Sequence, residues 1–267
     1  MTDPQAPFTA VVLAADRGSP DPVARAADVS CKAMAPVEGH PMVVRVIRAL
    51  QRAKTVGTII LCGPPRAIFE GEAALQAFLE AEGIPWRPNR ETPSTSAAAA
   101  LKTLSPDAPV LITTADHALL TPAMVDHFCE QAGHSGADVL VALADYKAIM
   151  QAYPGMRRTA TRFQDGPFCS CNLFAMLNSR GRRAADFWRQ VERDRKTPWK
   201  MINKIGWLMV IKYLLGRLTL TEGLDRASRQ LGFRAGAVLM PFPEAAVDVD
   251  TAADWHFVRD IARKSLA

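Results

Sequence analysis

Apolar residues along this chain follow two rhythms. One is a set of short unbroken runs: "FTAVVLAA" (8–15), "GTIILCG" (57–63), "PVLITTAD" (109–116) and "ADVLVALA" (137–144). Runs of that length without polar alternation fit strands buried on both faces. Between them lie segments of helical period: "PMVVRVIRALQRA" (41–53) with Pro41 suited to a first helical position, "AIFEGEAALQAFLEAEG" (67–83) stopped by Gly83, "STSAAAALKTL" (94–104) with a hydroxyl cap, and "TPAMVDHFCEQAG" after strand 109–116. Strand and helix in alternation predict an α/β, Rossmann-like, mostly parallel sheet with helices on both faces. The ligand crevice of such a sheet lies outside the carboxyl ends of its strands.

From about residue 150 the rhythm changes. "RRTATRFQDGPFCSCNLFAM" (157–176) predicts two strands around an Asp165-Gly166 turn, an antiparallel addition to the sheet. Helices over 181–194 and about 221–231 follow, then a strand in "FRAGAVLM". "AAVDVDTAADWHFVRDIARKSLA" closes the chain as a strand end, a Thr251 cap and a terminal helix. With no internal repeat, low-complexity tract or linker, residues 1–267 read as one domain with an elaborated C-terminal half. Within that half, apolar residues of segment 199–218 surround a helical axis, which predicts burial in the core. The segment is too short to cross a bilayer. A sharper reading makes it a wall touching a lipid-like acceptor or a membrane surface, with Lys200, Lys204 and Lys212 near anionic headgroups.

Composition narrows the partners. A net charge of +5 and a pI near 9.1 suit an anionic substrate and are too mild to argue for nucleic acid. Five cysteines without regular spacing point to a reducing compartment and to buried or incidental thiols. The opening residues lack a basic leader, and no run of about 18 apolar residues occurs, so the expected location is the cytoplasm. Neither a Walker loop, an H-E-x-x-H pair nor a serine-histidine-acid order is present, which disfavours P-loop, zincin and hydrolase chemistry.

Three places carry candidate chemistry. The long loop in "LAADRGSPDPVARAADVSCKAMAPVEGHPM" (13–42) offers backbone amides near Gly18 and the cations Arg17 and Lys32 to a polyphosphate. Its plain alternative is a polar strand-to-helix connection. In "LITTADHALLTP", Asp116 stands where a strand stops at the crevice, as a magnesium ligand or merely a helix cap; His117 reads as a spectator. In "VDVDT" (247–251), Asp248 and Asp250 sit on the expected strand end, with only one facing the crevice unless a twist or bulge aims both at one cation. Magnesium needs few carboxylates when phosphate oxygens complete its shell.

Taken together these segments resemble the MobA-like nucleotidyltransferases. "VVLAADRGS…CKAMAPVEGHPM" is similar to that family's opening signature, "ITTADHALLTP" to its aspartate segment and "AAVDVDTAADW" to its closing helix. The resemblance implies transfer of a nucleotidyl group from a nucleoside triphosphate to a phosphorylated acceptor, with pyrophosphate released. It makes Lys32 and Arg17 the catalytic cations and puts Ala14, Ala15 and Gly18 around the nucleotide. Ser94 and Ser96 fall near the base, and Asp116 with Asp248 or Asp250 binds Mg2+. Residues 145–235 become the acceptor side, and general likeness favours CTP over GTP or UTP. Two departures stand out: Asp16 replaces the family's first glycine, and Cys31 replaces the proline before the lysine. Asp16 motivates one alternative, a degenerate nucleotide-binding regulator. The other is a glycosyltransferase using nucleotide sugars, which usually carries Asp-x-Asp where this chain has Ala-Asp-His.

Overall fold

A computed structural model describes residues 6–15, 21–156, 158–194 and 207–264. Asp16, Arg17 and Gly18, and residues 199–206 of the apolar segment, lie outside the described residues.

The apolar runs form strands. β1 (Phe8–Leu13) is followed by a small hairpin of β2 (Pro36–Val37) and β3 (His40–Pro41), then β4 (Val56–Cys62), β5 (Trp86–Arg87), β6 (Val110–Thr114) and β7 (Val139–Asp145). β8 (Thr161–Phe163), β9 (Gly166–Met176) and β10 (Ala235–Leu239) complete the set. Among the described residues one eight-stranded sheet runs β10-β7-β9-β6-β1-β4-β5, with β8 hydrogen-bonded to β9. β1 is parallel to β4 and β6, β5 to β4, and β10 to β7; β9 runs antiparallel between β6 and β7. The fold is α/β and Rossmann-like.

Alternation explains why the strands are apolar throughout. Ala10, Val12, Ile59, Leu61 and Leu111 enter one core, while Val11, Leu13, Ile60, Cys62, Val110 and Ile112 enter the other. The first core is closed by helices including α2 (Met42–Arg52), which follows the short α1 (Pro22–Ala27). α3 (Arg66–Phe69) and α4 (Ala73–Ala81) precede α5 (Pro93–Leu101), whose alanines pack in the second core with Ala185 of a later helix. α6 (Pro122–His134) and α7 (Tyr146–Ala152) return to the first core, and α8 (Arg183–Asp194) packs on α5. α9 (Trp207–Leu214), α10 (Leu220–Leu231) and α11 (Ala252–Lys264) end the order.

The hairpin predicted at Asp165-Gly166 is present, but its longer arm lies in the middle of the sheet. The long helix expected over 67–83 is split. Gly71 is a poor helix former, and the Gln76 amide donates to the Phe69 carbonyl at 2.8 Å, closing α3 before α4 starts. The cap of α5 is Thr92, in a reciprocal pair with Thr95, rather than a hydroxyl at 94. Segment 247–251 is not a strand end. Val249 spends its N–H on the Asp116 carbonyl at 3.2 Å and its carbonyl on Lys32, so its backbone groups hold the site instead of extending a ladder. α9 also departs from expectation: none of its residues is buried, because it leans on the β8 edge by one side through Phe163 and Tyr213. All five cysteines are buried. Among the described residues no helix is long and apolar enough to cross a membrane.

Candidate active site

The site begins where β1 and β6 end side by side. The Ala115 amide donates to the Leu13 carbonyl at 2.9 Å, carrying the pairing one step past the strands and placing Asp116 beside Ala14 and Ala15. Ala14 in turn donates to the Cys62 carbonyl at 2.8 Å. β4 can pass this closely because Gly63 has φ +94°; a Cβ there would collide with the Ala14 carbonyl.

Lys32 reaches this point from a single 3-10 turn, Lys32–Met34, that follows Cys31. The turn is held by the β2–β3 hairpin, whose Glu38-Gly39 connection has both φ values positive, as a two-residue type I′ turn needs. Trp255 of α11 donates its indole N–H to the Pro36 carbonyl at 2.9 Å, tying the last helix to the same hairpin. The Lys32 Nζ lies 2.5 Å from Asp116 Oδ2, donates to the Val249 carbonyl at 2.9 Å and stands 3.6 Å from Asp250 Oδ1. Burial alone would lower this ammonium. The charge and hydrogen bond of Asp116, then Asp250 and Asp21, hold it above its ordinary value, so it is charged at neutral pH. Asp250 shows the opposite balance. Lost hydration and the like charge of Asp248 push its carboxyl up against the pull of Lys32, although with 69 % of the side chain exposed water screens most of this.

Asp248 is two residues before Asp250 on an extended stretch, with Val249 buried between them and Val247 buried just before. Residues i and i+2 of extended backbone share a face, so both aspartates line the same cavity without any bulge; the expectation that only one would do so is corrected. Asp248 is engaged on both oxygens. Arg158 pairs with one, and the Asn172 amide donates to the other at 2.7 Å. Asn172 has φ +51° inside β9, at the place where the β7–β9 register shifts. That irregularity turns a polar side chain out of the strand toward Asp248. Arg158, Ser170, Asn172, Asp248 and Asp250 line a cavity of about 700 Å³.

Sequence reasoning missed Arg158 and Asn172. A signal for the second existed: asparagine is among the few residues that tolerate positive φ, and an amide within an otherwise apolar strand needs a reason. The two serines expected near the base have partners within the protein. Both are buried in the first turn of α5. The Ser96 hydroxyl accepts from the Arg90 amide at 2.8 Å and donates to the Thr92 carbonyl at 3.0 Å, while Ser94 donates to Glu192 of α8. Each hydroxyl proton is therefore already donated, and either oxygen keeps a lone pair free to accept. His117 is buried, and burial first of all drives its imidazole down to about 4, so it is neutral and fills space.

A divalent cation fits part of this arrangement. Asp116 Oδ1 is buried without a hydrogen-bond partner, while its other oxygen and Asp250 already flank a cation, the Lys32 ammonium. Among the described residues no three histidine, cysteine or acidic side chains form a ready metal cage. Two carboxylates plus substrate oxygens are nevertheless the usual provision for magnesium.

A lysine from a 3-10 turn, an aspartate just past β6 and a cavity beside them meet at the carboxyl ends of β1 and β6. Residues 10–203 match the MobA-like NTP transferase domain, and the chain belongs to that family. Asp248 and Asp250 lie beyond the matched residues. A hypothetical transferase from Thermus thermophilus is similar at 29% identity and a TM-score of 0.75, over 93% of this chain and 99% of the other. The structure of CMP:2-keto-3-deoxy-manno-octonic acid synthetase complexed with CTP shares the fold at 14% identity and a TM-score of 0.58, over 97% and 99%. So does 4-diphosphocytidyl-2C-methyl-D-erythritol synthase from Anaerococcus prevotii, at 14% and 0.56, over 97% of each chain. A comparison with curated protein sequences finds no match.

Proposed function

We propose that this chain joins a nucleoside triphosphate to a phosphorylated small-molecule acceptor and releases pyrophosphate, in a magnesium-dependent reaction. The observation that carries this reading is the Lys32 ammonium, held charged between Asp116, Asp250 and the Val249 carbonyl beside the cavity.

In this reading the triphosphate lies along the ends of β1 and β6, against Ala14 and Ala15, and the acceptor occupies the cavity lined by residues of 155–172 and of 248–257. An oxygen of the acceptor phosphate forms a bond to the α-phosphorus. The bond from that phosphorus to the bridging oxygen breaks, and its electron pair leaves with pyrophosphate. The acceptor phosphate is already ionised at neutral pH, with a second pKa of about 6, so no general base is required. This agrees with a neutral, buried His117. Positioning and charge neutralisation therefore do the chemistry. Lys32, preset by its carboxylate partners, meets the negative charge that grows on the α-phosphate. Asp116 and Asp250 would hold Mg2+, which when bound neutralises the triphosphate. Arg158 faces the acceptor.

The test is pyrophosphate release from each nucleoside triphosphate, CTP first, with a panel of sugar and polyol phosphates and with their unphosphorylated forms. Release that depends on both Mg2+ and a phosphorylated acceptor is the expected result. Absence of release with every pair, or release only with unphosphorylated acceptors, overturns the reading.

A further inference from the structure

α9 and the turn after it present an apolar face to solvent. Leu208, Leu214 and Leu215 are 69 %, 76 % and 63 % exposed, and Trp207 and Ile211 beside them are 51 % and 49 % exposed. Positions 207, 208, 211, 214 and 215 have the spacing of one helix face, so this is a continuous stripe and not scattered exposure. The other side of the helix is anchored, by Tyr213 against Phe163 and by Lys212 to Glu222 at 3.1 Å.

The charge along this segment of the sequence has one sign. Residues 195–218 contain Arg195, Lys196, Lys200, Lys204, Lys212 and Arg217 and no acidic residue. Arg162 on neighbouring β8 is exposed as well. The nearby acids are engaged: Glu222 with Lys212, and Asp165 with the Leu220 amide at 3.1 Å. A second copy is a poor occupant for this face. Two-fold pairing sets a patch against itself, which would bring Arg162, Lys212 and Arg217 toward their own copies. An apolar stripe with an interfacial tryptophan, flanked by cations, matches instead a surface with hydrocarbon below and negative charge above.

We propose that α9 docks this protein on an anionic lipid surface, lying in the plane of the headgroups with Trp207, Leu208, Ile211, Leu214 and Leu215 inserted. The inference stands apart from the nucleotidyl transfer proposed above and can fail without it. α9 rests on β8, which follows directly on Arg158 and Thr159 of the cavity wall, so docking would bring the cavity close to the lipid.

The experiment is flotation of the full chain with vesicles of phosphatidylcholine and of equimolar phosphatidylcholine and phosphatidylglycerol. Flotation is expected with the anionic vesicles at about 0.1 M salt and is lost at about 1 M, where the screening length falls from about 10 Å to about 3 Å. Leu208→Glu with Leu214→Glu should lower the bound fraction about tenfold or more. Melting temperature and turnover in solution should stay unchanged, because both leucines are exposed. Failure to float with anionic vesicles at low salt overturns the proposal, and so does equal flotation with neutral ones. A dimer in solution that the same double variant dissolves also overturns it, by making a second copy the occupant. The wild-type salt series decides the matter even if the double variant does not fold.

Discussion

Two clusters of the same residue types sit at opposite ends of the sheet. At the start of β7, Asp138 accepts from the Asn178 amide at 2.9 Å and the Arg234 backbone N–H at 2.7 Å, with the Arg180 and Arg234 guanidinium groups at 3.7 Å and 3.9 Å. At the other end, Asp248 accepts from the Asn172 amide and pairs with Arg158. Each is an aspartate, an asparagine and arginine. The difference is where the cations lie. The Asp138 arginines are mostly in water, and their carboxylate is a closed joint between β7, β10 and the approach to α8; Gly181 packs so tightly on the Asp138 carbonyl that a Cβ would collide. Arg158 is only 15 % exposed, its Nε is buried without a partner, and it walls a cavity next to the Lys32 group. The first cluster satisfies its charges and leaves no room. The second leaves a buried Arg158 donor and a buried Asp116 oxygen unmet beside a cavity, the arrangement expected where a ligand completes the bonding.

The largest effects should break the open end and spare the closed one. Asp116→Ala is expected to lower magnesium-dependent pyrophosphate release at least about a thousandfold. Its melting temperature should stay close to the parent's, since Lys32 keeps Asp250 and the Val249 carbonyl. Full activity in this variant would remove Asp116 from the metal role. Lys32→Ala should cost about 10²- to 10³-fold in kcat with little change in nucleotide KM, because its charge matters most as negative charge grows on the α-phosphate. A loss confined to KM would make it a ground-state binding group instead.

This comparison also marks what the sequence makes legible. The strands that carry Ala14 and Asp116 are short apolar runs buried on both faces, and such runs survive as elements because every second residue serves a different core. Lys32, Asp116, Asp248 and Asp250 could be picked out by a motif, and the structure brings them to one crevice. Arg158 and Asn172 could not. Their importance depends on a register shift in β9 and on that strand lying between β6 and β7, which are long-range facts without a local pattern. The exposure of α9 was missed for a related reason: periodicity reports which face is apolar but not what covers it.

A smaller effect should come from the closed end. Asp138→Asn puts an amide donor among donors, at a cost of about 1–3 kcal/mol, and should lower the melting temperature while leaving kcat per folded molecule unchanged. The acid limb sharpens this. Burial alone would raise the Asp138 carboxyl, but the Arg234 amide, Asn178 and the two guanidinium groups hold it below its ordinary 3.8. A depressed folded pKa gives stability that is present above the unfolded value and lost as pH falls through the folded one. The parent should therefore lose stability below about pH 4, and Asp138→Asn should lack that part of the loss. Parallel acid limbs in melting temperature for the two proteins would show that Asp138 contributes no pH-linked stability.

The smallest effects, and the finest comparison, come from the two asparagines. Asn178→Ala removes the bond to Asp138 and also the acceptor for the Gly181 amide at 3.0 Å, both within the closed joint. It should lower stability by about 1–2 kcal/mol and leave the acceptor KM untouched. Asn172→Ala removes one bond to Asp248 and leaves a Cβ at φ +51°, which costs about 1–2 kcal/mol of backbone strain relative to glycine. Asn172→Gly removes the same bond without the strain, so its stability should exceed that of Asn172→Ala. Both substitutions at 172 should raise the acceptor KM by a similar factor of about 3 to 10, since each frees Asp248 to swing within the cavity. Urea melts read beside acceptor titrations separate the two contributions. An acceptor KM that moves equally for Asn178→Ala and Asn172→Gly would erase the distinction between the closed and open clusters. A KM that returns to the parent value in Asn172→Gly would assign the role of residue 172 to backbone shape alone.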